Sequence, residues 1–124
     1  MSTRATIRFA ERKSGQSFAE QPKEWYAQFY VHHDGYPEGL GVDIADSFLN
    51  NTKLMLEAEH IDVVHGDIEY MYYVWQAPKK PTFISIFEKH YGRVCELCEH
   101  EHPDKWECIF VGEPRNLIRE YNND

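Results

Sequence analysis

Trp25-Tyr26-Ala27-Gln28-Phe29-Tyr30-Val31-His32 is followed directly by His33-Asp34-Gly35-Tyr36-Pro37-Glu38-Gly39-Leu40. The first stretch alternates. Trp25, Ala27, Phe29 and Val31 fall on one side, Tyr26, Gln28, Tyr30 and His32 on the other, and this period of two marks a strand. The Trp25 set is expected to face the core. Asp34-Gly35 and Pro37 then mark a turn. From Leu40 the period changes: Leu40, Ile44 and Phe48 fall at helical spacing, with Ala45 and Leu49 beside them, while Asp43, Asp46 and Asn50 lie off the stripe. This predicts an amphipathic helix over about 39–50, ended by Asn50-Asn51-Thr52. Leu54 to Glu59 reads as a further turn or two of helix. A strand running through a turn into a helix points to an α+β fold.

Further out the pattern repeats. Ala5-Thr6-Ile7-Arg8-Phe9 alternates and predicts an N-terminal strand. Residues 11–23 are polar, contain Ser14-Gly15 and Gln21-Pro22, and read as a loop. Ile68 to Gln76 and Thr82 to Glu88 flank the Pro78–Pro81 turn and predict a hairpin. Lys105 to Val111 is a fifth strand, and Pro114 opens a short C-terminal helix with Leu117, Ile118 and Tyr121 on its apolar face. The order is β-β-α-β-β-β-α, a mainly antiparallel sheet of about five strands with helices on one face. Tyr70, Tyr72 and Val74 stand against Met71, Tyr73 and Trp75, so this strand is apolar on both sides. Its second face is covered within the chain, in part by the C-terminal helix, or it meets a second subunit in a homodimer.

The 124 residues fit a single α+β domain over 1–124. Apolar residues make up 42 % and aromatics 15 %, enough to build a core and to exclude disorder. No apolar run approaches the roughly 20 residues of a membrane span, so no membrane association is expected. Met1 to Thr6 has no apolar signal region, and a cytoplasmic location is expected. A net charge of −8 disfavours nucleic acid as a partner. Arg4, Arg8 and Arg12 share a strand face and are read as solvated.

Three groups carry chemistry. Cys95 and Cys98 form a Cys-x-x-Cys, followed by His100, His102 and then Cys108. Thiolates and imidazoles are zinc ligands and a structural site needs four, so a Zn²⁺ pinning the last hairpin is one reading. The other is an acidic hairpin with incidental thiols, in which Cys108 packs as a small apolar residue beside Trp106 and Phe110. The odd cysteine count is a poor disulfide framework.

The second group is the 32–38 loop. His33 and Asp34 pair as a base and its orienter, and Glu38 adds a carboxylate, in an enzymatic reading. In a binding reading His32, His33, Asp34 and Tyr36 are the contact residues. The plain alternative is a turn in which Asp34-Gly35 bends the chain and Pro37 starts the helix. The third group, Tyr70, Tyr72, Tyr73 and Trp75, reads as sheet packing. Phosphate-loop, Gly-x-Ser-x-Gly and His-Glu-x-x-His signatures do not occur in the sequence.

Ser2 to Ile7, Tyr30 to Gly39 and Ile109 to Leu117 resemble a group of small uncharacterised proteins of bacteria, phages and mobile elements. These open on an Arg-Ala-Thr strand and carry a His-x-Asp-Gly-Tyr-Pro turn before a helix. The resemblance implies a shared fold and no assigned activity. The cysteine hairpin lies outside that pattern. With no complete catalytic set, the function expected is a non-enzymatic binding module acting on a protein partner. The alternatives are a small enzyme using the 32–38 loop and a zinc-stabilised regulatory domain.

Overall fold

The computed structural model describes residues 3–54, 56–77, 79–90 and 105–121. The alternating segments form strands β1 (Ala5–Ala10), β2 (Ala27–Val31), β3 (Glu57–Glu59), β4 (Tyr70–Trp75), β5 (Phe83–His90) and β6 (Lys105–Gly112). A single π-helical turn over Pro37–Gly41 leads into α1 (Val42–Asn50), and α2 is Pro114–Tyr121. All six strands join one sheet in the order β3-β2-β1-β4-β5-β6.

The expected α+β class and mainly antiparallel sheet hold, with two differences. Among the described residues the sheet has six strands, and β1 and β4 run parallel while the other neighbours are antiparallel. The extra strand is β3, which lies where more helix was expected. Asn51 takes a left-handed conformation (φ 55°) and ends α1. The chain then returns extended beside β2, pairing Gln28 with Glu59 and Tyr30 with Glu57.

On one face α1 and α2 cover a core of Ala5, Ile7, Tyr72, Val74, Ile84 and Ile86, into which Leu40, Ile44, Ala45 and Leu117 insert. Phe48 and Leu49, at the far end of α1, are exposed. The other face carries Ala10, Tyr30, Ile68, Met71, Tyr73, Trp75 and Phe87. Its cover comes from Phe18 and Trp25 of the long loop after β1, not from the C-terminal helix, which lies with α1. The two-sided apolar pattern of β4 is thus accounted for within the chain.

The expected inward set of β2 is also corrected. Ala27, Phe29 and Val31 are half-buried toward the helices, whereas Gln28 and Tyr30 are only 2 % and 7 % exposed. Hydrophobic alternation places apolar side chains inward, but here the polar partner of a buried arginine takes the enclosed side.

Candidate functional site

The loop-covered face holds a polar network at its centre. Arg8 alternates with Ile7 and Phe9 and so points away from the helices. It is 8 % exposed, and the expectation of a solvated arginine face fails at this residue. A buried guanidinium requires partners. Its Nε donates to Gln28 Oε1 (2.9 Å) and its Nη1 to the Tyr73 hydroxyl (2.8 Å), and the guanidinium lies 3.7 Å from the centre of the Trp25 ring. The Tyr73 hydroxyl donates in turn to Gln21 Oε1 (2.7 Å) in the covering loop. Burial raises the Tyr73 pKa against the opposing pull of Arg8, keeping it a neutral donor.

Gln28 relays the arginine's charge. Its carbonyl oxygen faces Arg8, while its amide nitrogen donates to Glu59 Oε2 (2.5 Å) and to the Val63 carbonyl (2.8 Å). The amide dipole therefore lies between a cation and an anion with the favourable sense. Glu59 also meets His65 Nε2 at 2.8 Å, and the His65 ring stacks on Tyr30 with centroids 3.9 Å apart.

This network fixes the segment after β3. Trp25 Nε1 donates to the Ile61 carbonyl (3.0 Å), Gln28 holds that of Val63, and the Val63 amide closes a turn onto His60 (3.1 Å). With the backbone held from below, Val64 stands in solvent with 83 % of its surface exposed, and Ile61 and Val63 beside it are each about a third exposed (37 % and 36 %). His60 and Asp62, the sequence neighbours of Ile61, are exposed as well. The result is an apolar ridge on a backbone held by hydrogen bonds. Sequence reasoning missed it. The available signal was the run Ile61-Asp62-Val63-Val64, apolar yet in no assigned element.

The 32–38 loop is anchored differently. Gly35 donates to the Thr3 carbonyl (2.9 Å), its own carbonyl accepts from the buried Tyr72 hydroxyl (2.6 Å), and the Leu40 amide reaches the Asp34 carbonyl (3.1 Å). Asp34 supplies the turn with φ 56°. His32 meets Glu57 at 3.0 Å on β3, and the Tyr36 hydroxyl bonds to the Asp34 carboxylate, whose charge raises the tyrosine pKa. His33 and Asp34 line a cleft of about 430 Å³ with Asp43, Asp46, Thr52 and Lys53, and Glu38 does not line it. Burial, then the charges of Asp46 and Asp34, raises the Asp43 pKa.

Of the zinc candidates, Cys108 alone is described; Cys95, Cys98, His100 and His102 lie outside the described residues. Cys108 is paired with Phe87, packs against the loop-side cluster, and its thiol reaches toward the Phe110 carbonyl (3.6 Å). Burial pushes that thiol pKa up, which disfavours the ligating thiolate. Among the described residues, no three His, Cys, Asp or Glu side chains are grouped to hold a metal ion. No helix among them is long and apolar enough to cross a membrane. No known protein family, curated protein or solved structure matches the chain.

Proposed function

We propose that this protein is a non-enzymatic binding domain that engages another protein through the ridge of Ile61, Val63 and Val64. The carrying observation is that these side chains are exposed on a backbone that Trp25 and Gln28 hold in place. Apolar groups held in solvent in one geometry are ready for a partner and lose little freedom on binding. The exposed Asp62 within the run, in a chain of net charge −8, favours a partner with a basic rim around an apolar pocket. The resemblance to phage and mobile-element proteins belongs to the same proposal and points to a host or co-encoded partner.

The test is capture from a lysate of the source cells by wild-type protein and by the Ile61→Ser/Val64→Asp variant. A basic protein recovered by the wild type and lost with the variant supports this reading. Equal recovery by both, with both folded, rejects it.

A second reading rests on the cleft beside α1. His33 and Asp34 line it with Asp43, so an imidazole and two carboxyls share one wall. A hydrolase screen of wild type against His33→Ala tests it. Turnover abolished by the substitution supports an enzyme, and turnover absent from both proteins rejects one.

A further inference from the structure

A separate cleft of about 590 Å³ lies between the loop after β1 and the β4–β5 turn. Its apolar wall is aromatic. Phe18 stacks on Phe83 with centroids 4.6 Å apart and meets Trp75 edge-on at 5.5 Å. Trp75 is held by its Nε1 donating to Ser85 Oγ (2.8 Å), and Ser85 donates to the Phe18 carbonyl (2.6 Å). Both the indole and the loop that carries Phe18 are therefore fixed from behind.

The rest of the lining carries more positive than negative side chains in an acidic protein. Arg12, Lys13 and Lys80 line the cleft, with Glu11 as its one carboxylate. Lys13 is occupied by Glu24 (2.7 Å). The Arg12 guanidinium lies 4.8 Å from the centre of the Phe18 ring, with its Nε donating to the Gln16 carbonyl. Two positive groups, Arg12 and Lys80, thus border an aromatic wall in a cleft of small-ligand size.

We infer that this cleft binds a small aryl anion: a flat ring that packs on Phe18 and Phe83, bearing one phosphate or carboxylate that Arg12 and Lys80 hold. Because Phe83 and Arg12 already cover the faces of Phe18, the ring is favoured by edge-to-face contact with this aromatic wall, and the anion by charge-assisted hydrogen bonds, which Arg12 makes in planar geometry. This site is distinct from the ridge, and neither needs the other.

The experiment uses the full chain and phenyl phosphate as probe, followed by tryptophan fluorescence and calorimetry, with phenol and inorganic phosphate titrated in parallel. Saturable binding of phenyl phosphate is expected, with phenol and inorganic phosphate each weaker by about tenfold or more. Lys80→Glu and Arg12→Glu alter exposed positions. Each is expected to weaken phenyl phosphate by about tenfold, with the melting temperature of Lys80→Glu unchanged. Raised salt weakens the wild type toward the variants. Absence of saturation below about 10 mM overturns the inference. Equal binding of inorganic phosphate, or unchanged binding by both variants, also overturns it.

Discussion

Gln28 has its carbonyl against Arg8 and its amide against Glu59 and Val63, so no single neighbour can be lost without stranding another. Gln28→Leu keeps the volume but leaves a buried guanidinium short of an acceptor and the Val63 carbonyl short of a donor. A loss of about 2–4 kcal/mol is expected in urea unfolding. Amide exchange should rise over residues 60–66 and stay unchanged in β5. A loss within about 0.5 kcal/mol would mean that the network contributes nothing to folding. Gly35 gives a second prediction. A Cβ there would lie 2.8 Å from the Ala5 Cβ and 3.1 Å from the Thr3 carbonyl oxygen, so Gly35→Ala forces β1 and the turn apart. A cost of about 1–3 kcal/mol is expected by the same measurement, although the backbone conformation itself suits alanine.

Among the elements, α2 closes the helix-side core, and its Tyr121 meets Phe110 of β6 at 5.9 Å between centroids. Burial, then the negative charges of Glu120, Glu38 and Glu88 and the Tyr70 phenol, raise the Tyr121 pKa to about 12. The ordinary value is 10, so the folded state holds the proton more tightly than the unfolded chain. That contribution is fully present below pH 10 and is lost as pH rises through about 12. Burial raises Tyr70, Tyr72 and Tyr73 in the same direction. Melting temperatures are therefore expected to fall above about pH 10, and Tyr121→Phe should reduce that fall. An equally steep decline in the variant would remove Tyr121 from the account. For the segment between β5 and β6, the zinc reading takes Cys95, Cys98 and Cys108 with His100 or His102; with Cys108 packed against the sheet, we propose that Cys95, Cys98, His100 and His102 remain as the ligands of the right chemistry. Protein purified without chelator should then carry about one zinc, lost in Cys95→Ser and kept in Cys108→Ala. Less than about a tenth of an equivalent rejects it.

At the scale of the whole molecule, the elements with a clear local period were legible and their assembly was not. The 39–50 helix, the hairpin of β4 and β5, and α2 from Pro114 follow from spacing and turn residues. β3 has three residues, with only Ala58 between two glutamates, so no period could reveal it. The parallel contact of β1 with β4 depends on the chain crossing back after β3, a non-local choice that alternation does not encode. The 32–38 loop was legible as a turn. The ridge was not, because its fixed exposure depends on Arg8 and Gln28 being buried, and both read as surface residues. Once the sheet is assembled, loop-borne Phe18 and Trp25 cover one face, two short helices cover the other, and Ile61, Val63 and Val64 remain outside. The decisive measurement is the binding isotherm of the captured partner against wild type and Ile61→Ser/Val64→Asp, with the fold of both checked by circular dichroism. The ridge reading predicts that the variant binds at least about tenfold more weakly and that wild-type binding weakens with salt. An unchanged isotherm, or a wild type that captures no partner, would contradict it.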